Sequence, residues 1–329
     1  MILLASVFGE TLVYYGMANK RNICILGYGS QGRAWALNLR DAGCNLIIGL
    51  PSGSKSRRIA LKDKIGKIQS TSEAVANSDI IIFAFPDHLH GRVFKKDIRP
   101  KLKRGCALIF LHGYSVHFGT VTPPEWCDVI LLAPLGPGLA VRENFLNKES
   151  MGFFYSIHRN FSGSAGNILN FLVKSLRIDR KKLIRTTFAD EAVGDIFGEQ
   201  AVLCGGLSQL IKAGYDVLVE SGLSPDKAYL EIAYQLDLII DLIKKFGVEG
   251  MLNRISFTAR YGSIRSGSRI IDKQVKARMK KLLAEIKKGK FAGALENLSV
   301  QDIKKMPGKV KQMSTPSFEK SSRKFSPKK

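Results

Sequence analysis

The chain has 329 residues, of which 45% are hydrophobic, and its mean hydropathy is near zero, which describes a soluble globular protein with room for two domains. No apolar run is long enough to cross a bilayer, so we expect no membrane association. The net charge of +23 is unusual for a small-molecule enzyme, but no recognition helix, RNP motif or zinc-finger spacing accompanies it, and we therefore expect no specific nucleic-acid partner.

The chain begins with an apolar stretch, Met1 to Phe8, that lacks a basic leader and a long apolar core. We therefore do not interpret it as a secretory signal. The five cysteines are odd in number, form no CxxC pair and lie mostly among apolar residues. Because this pattern is typical of buried thiols in a reducing compartment, we predict a cytoplasmic protein without a disulfide or zinc framework.

The most informative segment combines a strand, a glycine-rich turn and a helix. The apolar run Ile23 to Leu26 predicts a strand, Ala34 to Leu39 a helix and Asn45 to Gly49 a second strand. Between the first strand and the helix stand Gly27, Tyr28, Gly29, Ser30, Gln31 and Gly32. In this context G-x-G-x-x-G indicates dinucleotide binding, and we expect all six residues to bind the cofactor. A glycine-rich βα turn with no ligand is the alternative.

Each glycine of this turn has a separate predicted role. Gly27 permits the tight turn, Gly29 lets the backbone approach a pyrophosphate, and Gly32 lets the helix pack closely on the strand. The free N–H groups at the helix N-terminus face the phosphates.

The loop after the second strand indicates which nucleotide binds. An NAD site usually has Asp or Glu at this point. Residues 50–58 instead read Leu-Pro-Ser-Gly-Ser-Lys-Ser-Arg-Arg and contain no carboxylate. Hydroxyl and basic side chains suit a 2′-phosphate, so we predict NADP(H), bound here by Ser54, Ser56 and Arg57. An ordinary basic surface loop is the alternative.

Strand and helix signals alternate through the first half of the chain. Further strands are predicted over Ser78 to Phe85, Cys106 to Leu111 and Val129 to Ala133, with Phe153 to Ile157 as the last. Ligands bind beyond the carboxyl ends of such strands, where residues 86–87, 112–114 and 134–138 follow. The first half is therefore predicted to be an α/β Rossmann-type domain with a parallel sheet.

From about Asp190 the apolar residues recur at three- and four-residue steps, which predicts helices. Ala192 to Ser221, Pro225 to Phe246 and Val275 to Lys288 are the predicted helices, and the C-terminal half is expected to be all-α. We place a Rossmann domain at 1–187, a helical metal, substrate and dimerisation domain at 188–300, and a basic tail at 301–329. The tail is rich in Lys, Ser and Pro, so we expect it to be disordered.

Two pairs of polar side chains repeat the same helical spacing. Asp195 and Glu199 are four residues apart among apolar neighbours, and Glu231 and Gln235 repeat the spacing on the next helix. Two carboxylates in an apolar setting repel each other unless a cation neutralises them. Oxygen ligands from two helices predict a Mg²⁺ site. The alternative is a solvated acidic face, and spacing alone favours this alternative over a metal site.

Seven segments of the chain form a recognisable set: GYGSQGRAWALNLRDAG, GSKS, HGYSVHF, APLGPG, VRENF, DIFGEQAVLCGGLSQLIKAGYDVLVESG and GMLNRISFTARYG. On these segments the sequence resembles ketol-acid reductoisomerase (acetohydroxyacid isomeroreductase) of the short form, from about Asn22 to Leu295. The run Asp-x-Phe-Gly-Glu-Gln-x-x-Leu-Cys-Gly-Gly is highly specific to this family.

This resemblance implies a Mg²⁺-promoted alkyl migration in an acetohydroxyacid such as 2-acetolactate, followed by hydride transfer from NADPH. The product, 2,3-dihydroxyisovalerate, serves valine and isoleucine synthesis. Two Mg²⁺ ions are implied, which act as Lewis acids on the substrate oxygens. The resemblance also implies a knotted helical domain and a homodimer or a larger homo-oligomer.

The family's functional residues fall on positions of this chain. Asp195 is implied as a bridging metal ligand, Glu199 as a second, and Glu231 as a ligand that crosses a dimer interface. His112 is implied beside the nicotinamide and Ser256 at the substrate. The resemblance makes His112 and the three carboxylates the catalytic residues, and it adds Gly138 of the APLGPG loop to the cofactor site.

The chain departs from the family pattern at several positions. Leu135 stands where the family has a lysine. Gln235 stands where the family has a glutamate, and it is still a predicted metal ligand through its carbonyl oxygen. Pro51 replaces a cofactor-loop arginine, while Phe257 and Arg260 replace residues that are usually acidic. The loss of a charge and a lysine on the metal side is expected to slow the isomerisation more than the hydride step.

Two alternative functions follow from these features. A reductase that has lost the isomerase step is motivated by Leu135 and Gln235. A non-catalytic protein that binds nucleic acid or an acidic partner is motivated by the net charge and the basic residues 304–329.

Overall fold

The computed structural model describes residues 21–326, so the prediction made for residues 1–8 lies outside the described part. The chain divides into two compact units at Val193–Gly194. The first unit is an α/β domain and the second is helical, which confirms the predicted fold class.

A single eight-stranded sheet forms the centre of the first unit. Its strands are β1 (Ile23–Leu26), β2 (Leu46–Gly49), β3 (Lys67–Gln69), β4 (Ile80–Phe83), β5 (Ala107–Phe110), β6 (Asp128–Pro134), β7 (Phe153–Arg159) and β8 (Leu183–Arg185). The spatial order is β3-β2-β1-β4-β5-β6-β7-β8. The first six strands are parallel, whereas β7 runs antiparallel to β6 and parallel to β8. The order reverses at β1 and β4, where an α/β sheet opens a crevice for ligands.

Two short strands, β3 and β8, were not predicted. The segment Phe153 to Ile157 belongs to β7, so the prediction that it forms the last strand is wrong: the last strand is β8. Both β3 and β8 have three residues and lie at the edges of the sheet. Neither contains a fully buried side chain. An edge strand without a buried apolar run gives no sequence signal, so only pairing with a neighbour reveals it.

Helices cover both faces of this sheet, and its central strands are therefore buried on both sides. Ile23 and Ile25 pack into one core cluster, and Cys24 and Leu26 into the other. The helices of this unit are α1 (Ser30–Asp41), α2 (Ser56–Lys62), α3 (Thr71–Ala76), α4 (His90–Val93), α5 (Tyr114–His117), α6 (Gly138–Leu146), α7 (Ala165–Ser175) and the start of α8 (Phe188–Gly198). Short 3₁₀ or π turns lie at Asp87–Leu89, Phe94–Ile98, Arg99–Lys101 and Arg180–Lys182.

The second unit is built of helices. They are the end of α8, α9 (Gly205–Glu220), α10 (Pro225–Tyr229), α11 (Leu236–Leu252), α12 (Phe257–Ile270), α13 (Lys273–Lys287), α14 (Lys290–Glu296), α15 (Val300–Gln312) and α16 (Pro316–Phe325). π-helical turns at Glu199–Leu203 and Leu230–Tyr234 interrupt the two long predicted helices. Gly247 has φ 71° within α11 and kinks it, one residue after the predicted helix end.

The predicted disorder of the C-terminal tail is wrong for its described part. Residues 300–312 and 316–325 are helical. Ser299 caps α15 with a reciprocal bond to Asp302, and the Thr315 hydroxyl caps α16 by accepting the Phe318 N–H. The Phe318 ring packs edge-on against Tyr215. Composition suggested disorder because tertiary anchors such as these are invisible in it.

The expectation that no segment could cross a bilayer also needs correction. The π turn joins α8 and α9 into a helical run over Phe188–Glu220 that is long and apolar enough to do so, by length and composition only. Most of this run is not buried within the chain. Among residues 21–326, its apolar surface is therefore left largely uncovered.

Candidate functional site

A cavity of about 370 Å³ opens at the carboxyl ends of β1, β2 and β4. Its lining residues are Leu26, Gly27, Tyr28, Gly29, Gly49, Leu50, Pro51, Ser54, Ser56, Thr71, Ala84, Phe85, Pro86, Leu89, Val93 and Asp97. The structure therefore brings together five of the predicted cofactor residues from two separate loops. The cavity lies at the point where the strand order reverses, as dinucleotide sites in such sheets do.

The three glycines of the turn differ in what surrounds them. Gly27 has φ +95°, and a Cβ there would lie 2.6 Å from the Ala84 oxygen. A Cβ on Gly32 would lie 2.6 Å from the Gly27 oxygen, which explains the close packing of helix and turn. A Cβ on Gly29 would meet no atom within 4 Å. No contact within residues 21–326 therefore demands glycine at position 29, and its open side fits a ligand that approaches the backbone.

Tyr28 lines the cavity, but its hydroxyl is committed to the protein. It donates a hydrogen bond of 2.9 Å to Asp63, which also accepts two bonds from Arg33. Burial, followed by the Asp63 carboxylate, raises the pKa of Tyr28, while the Arg33 guanidinium lowers the pKa of Asp63. This network fixes the start of α1 against the residues that follow α2.

Three other predicted cofactor residues connect the glycine turn to the loop before α6. The Gln31 amide donates to the Gly136 oxygen at 2.8 Å, and a Cβ on Gly138 would lie 2.2 Å from the Ser30 oxygen. Gly138 is therefore needed for close approach of two helix starts. Ser30, Gln31 and Gly138 are not among the residues that line the cavity.

The loop after β2 places hydroxyl groups in the cavity and a guanidinium beneath it. Ser54 and Ser56 line the cavity. Nη1 of Arg57 donates to the Leu50 oxygen at 3.0 Å, so this side chain also braces the loop. No carboxylate follows β2 within residues 50–58, and the one acidic side chain in the lining, Asp97, comes from the π turn after α4. The donors of this loop suit a phosphate on the ribose.

His112 lies in the loop after β5. Its ring stacks on Tyr114, and its Nε2 lies 3.9 Å from Oε2 of Glu191. Glu191 is buried, and its carboxylate accepts the Gly113 N–H at 2.5 Å. A buried carboxylate is therefore placed against both the ring and the backbone of this loop. Glu191 was not predicted from the sequence, although a glutamate in the first turn of an apolar helix was a possible signal.

A second histidine, His90, was also missed. It is buried beside the cavity; its Nε2 lies 2.8 Å from the Phe85 oxygen and its Nδ1 2.6 Å from Oγ of Ser115. Because a carbonyl only accepts, Nε2 carries the proton and Nδ1 accepts from the serine. Burial lowers the pKa of His90, against the opposing effect of Asp87. His90 thus connects the loop after β4 to α5, and its place in the segment that follows a strand end was the available signal.

Both π turns of the second unit contain predicted metal ligands. Glu199 opens the first, with Asp195 four residues before it, and Glu231 lies in the second, with Gln235 directly after it. All four side chains are exposed. π turns are rare and frequently mark functional sites. Their coincidence with two separate ligand pairs is a structural feature that spacing did not predict.

The chemistry of the predicted donor set fits a hard cation. Carboxylate and amide oxygens are the ligands that Mg²⁺ takes. Among residues 21–326, no group of three or more His, Cys, Asp or Glu side chains comes together. The Gln235 amide nitrogen lies 3.4 Å from Oε2 of Glu231. The neutral Gln235 amide therefore lies beside the Glu231 carboxylate as a donor. A glutamate at position 235 would add a second negative charge there.

The remaining predicted positions are also placed by the structure. Ser256 caps α12, where its hydroxyl accepts the Ala259 N–H at 3.2 Å. Phe257 beside it is exposed, and Nε of Arg260 is buried without a partner among the described residues. Leu135 is half exposed, and its backbone N–H donates to the Gly152 oxygen.

Family models match nearly the whole chain. One described as the acetohydroxy acid isomeroreductase NADPH-binding domain matches residues 17–180, and one described as the ketol-acid reductoisomerase C-terminal domain matches residues 188–325. The chain belongs to the ketol-acid reductoisomerase family. The predicted resemblance and the prediction of an enzyme are thereby confirmed.

Individual relatives agree with this assignment. A ketol-acid reductoisomerase (NADP(+)) of Petrotoga mobilis is 44% identical over 289 residues, which cover 88% of this chain and 87% of that protein. The Pyrobaculum aerophilum enzyme of the same name is 44% identical over 272 residues, 83% of each chain. The solved structure of an NADH-preferring ketol-acid reductoisomerase from an uncultured archean has a TM-score of 0.89 and 32% identity, and covers 95% of this chain and 97% of that one. The prediction of NADP(H) is supported by the family domain and the curated relatives.

Proposed function

We propose that the protein converts 2-acetolactate, or its ethyl analogue 2-aceto-2-hydroxybutyrate, to the corresponding 2,3-dihydroxy acid, in a Mg²⁺- and NADPH-dependent reaction of branched-chain amino-acid synthesis. The observation that carries this proposal is the coincidence of two π turns with the two predicted ligand pairs, in a chain of this family. The reaction consists of an alkyl migration followed by reduction of the resulting 2-keto acid.

The cavity at the glycine turn is the proposed cofactor site. NADPH supplies the hydride when it is bound. The open backbone at Gly29 would accept the pyrophosphate, and Ser54 and Ser56 would donate to the 2′-phosphate. Arg57 holds the Leu50 carbonyl and thereby shapes this loop, while its positive charge favours the phosphorylated ribose.

Asp195, Glu199, Glu231 and the Gln235 carbonyl are the proposed metal ligands. Mg²⁺ bound there would supply Lewis-acid stabilisation of developing negative charge on the substrate oxygens. The carboxylates would hold the ions, and Gln235 would contribute an oxygen without a charge. Ser256 is proposed to contact the substrate, and its position as a helix cap fixes its hydroxyl at the start of α12.

His112 is proposed to lie beside the nicotinamide. Its ring is held by stacking on Tyr114, and its loop is held by the bond from the Gly113 N–H to Glu191. These contacts restrict the orientation of the imidazole before substrate binds, which is the positional requirement for a group that assists hydride transfer. Glu191 acts on the reaction through His112 and is a positioning residue.

A homodimer is the proposed working form, with Glu231 contributed across the interface. The exposed apolar surface of the helical run over residues 188–220 supports a second copy as its covering. We propose a cytoplasmic enzyme that is not inserted in a membrane, with a cofactor domain over 1–187 and a helical domain from 188. The described part of the proposed tail belongs to the helical domain.

The test is NADPH oxidation with Mg²⁺ and 2-acetolactate, run beside the 2-keto acid intermediate 3-hydroxy-3-methyl-2-ketobutyrate. Turnover of both substrates is expected.

A second candidate, a reductase without the isomerase step, is favoured by Leu135 and Gln235, which remove a positive and a negative charge from the family pattern. Turnover of the intermediate alone would select that candidate, and turnover of neither at high enzyme concentration would exclude both.

A further inference from the structure

Positive charge is concentrated at the C-terminal end of the chain. Residues 273–329 carry 17 Lys and Arg against 4 Asp and Glu, a net charge of +13 out of +23 for the whole protein. This segment has none of the residues proposed for the reaction. Its charge therefore has no role in the proposed chemistry.

Part of this charge is aligned on one helix, α13. At 100° per residue, Lys273, Lys276, Lys280 and Lys287 fall within about 60° of one another on the helix surface. All four side chains are exposed. They extend over the 15 residues of the helix, with about 21 Å between the first and the last. We call these four residues the lysine stripe.

The lysine stripe has no paired counter-charge in the part of the chain that the structure describes. Within residues 21–326 none of its four ammonium groups forms an ion pair, and the acidic residue of α13, Glu285, pairs with Lys290 at 3.6 Å. Lys276 and Lys280 are four residues apart, a spacing at which like charges repel. An external polyanion would relieve this repulsion and release its own counterions on binding.

The opposite face of α13 distinguishes between two classes of polyanion. Ile286 is fully buried, and Val275 and Leu282 are half buried, so the apolar face is used within the protein. A helix that binds a bilayer surface must insert that face into the lipid. A helix whose apolar face is already packed offers only its charges, which suits the regularly spaced phosphates of a nucleic acid.

We propose that the lysine stripe binds the phosphodiester backbone of nucleic acid without reading its sequence. The proposal is independent of the reaction, because it uses no residue of the cofactor or metal sites. It agrees with the absence of a recognition motif in the sequence, since backbone contacts by lysine give affinity and orientation but no base specificity.

The experiment measures binding of the full-length protein to a fluorescein-labelled 24-bp DNA duplex by anisotropy, over a range of salt concentrations. The stripe variant K273A/K276A/K280A/K287A is compared with the control K62A/K95A/K96A/K101A, which removes the same charge from exposed positions of the first unit. Four lost phosphate contacts should reduce the slope of log K against log salt by about 3 to 4. The control should reduce it by less than about 1.

Several outcomes would overturn the proposal. These are no binding by the wild type at low salt, an equal loss in both variants, and stripe-dependent binding of phosphatidylserine vesicles in place of DNA. NADPH oxidation by each variant verifies that it is folded. If the stripe variant does not fold, acetylation footprinting of the wild type tests the proposal instead. Bound duplex must then protect the four lysines of the stripe from acetylation more than it protects Lys95 and Lys96.

Discussion

At the scale of single residues, the cofactor cavity depends on two kinds of glycine. Gly32 is required by the protein itself, since a Cβ there would lie 2.6 Å from a backbone oxygen. Gly29 has only open space on that side, and its backbone (φ −81°) is accessible to any residue. The G-x-G-x-x-G pattern therefore combines a packing requirement at Gly32 with a proposed binding role at Gly29, and substitutions can separate the two.

Gly29→Ala should leave stability nearly unchanged, within about 1 kcal/mol, because no atom obstructs the methyl group. It should raise the KM for NADPH at least about tenfold, since the methyl group would stand between backbone and pyrophosphate. Gly32→Ala is the matched comparison and should cost about 1–3 kcal/mol of unfolding free energy. Urea unfolding and steady-state kinetics measure both effects. An unchanged KM in the Gly29 variant would place the cofactor elsewhere.

His90 should make stability dependent on pH. Burial lowers its pKa from the ordinary 6.5, so the folded protein holds the neutral ring while the unfolded chain takes up a proton more readily. Its contribution is therefore present above pH 6.5 and is lost as the pH falls through the folded pKa. Between pH 7.5 and 5.5 the wild type should lose more unfolding free energy than His90→Gln, by up to about 1.4 kcal/mol per pH unit below the ordinary pKa. Equal losses in urea titrations of the two proteins would contradict this.

At the scale of elements, the features that matter are the interruptions of helices. Sequence periodicity predicted two long helices over residues 192–221 and 225–246, and the structure contains a π turn in each. Each turn inserts a residue into the helix where a predicted ligand stands. Such a turn gives no signal in hydrophobic periodicity, because the apolar residues on either side still recur at helical steps.

The helix α9 presents an apolar stripe that one copy leaves exposed. Leu210 and Val217 are seven residues apart and are 50% and 63% exposed. If a second copy covers this stripe, Val217→Lys should shift the protein from dimer to monomer, because a buried unpaired ammonium is costly. Ile184→Lys is the control, since it adds the same charge at a 49% exposed apolar site of the first unit. Light scattering after size exclusion measures both, and an unchanged mass in the Val217 variant would exclude this face as the interface.

At the scale of the whole molecule, the chain consists of two units for which separate functions are proposed. The first unit holds the proposed cofactor cavity, and the second holds the proposed metal ligands and the lysine stripe. Ligands that bind one unit should therefore stabilise the protein independently of the chemistry of the other. This separation allows cofactor binding to be measured without turnover.

NADPH at one hundred times its dissociation constant should raise the free energy of unfolding by about 2.7 kcal/mol, because it binds only the folded cavity. NADH at the same concentration should raise it less, since it lacks the phosphate that the loop 50–58 is proposed to bind. Thermal unfolding with each nucleotide, in the absence of Mg²⁺ and substrate, provides the measurement. A larger effect of NADH would show that the basic loop does not select the phosphate.

The sequence by itself determined the central strands, the glycine turn, the helical second half and the family. These features depend on local patterns: buried runs such as Ile80–Phe83 and glycines at fixed spacing persist in the sequence whatever surrounds them. The same patterns were misleading for the C-terminal tail, where composition predicted disorder and caps and aromatic contacts produce helices.

Only the tertiary structure decided how distant residues are used. Glu191 meets the His112 loop across 78 positions, Ser115 meets His90 across 25, and edge strands such as β8 exist because a neighbour pairs with them. The distinction between Gly29 and Gly32 likewise depends on which atoms approach from elsewhere in the chain. Such contacts join residues far apart in the chain, and no local periodicity or composition encodes them, so folding alone reveals which side chains hold the site in place.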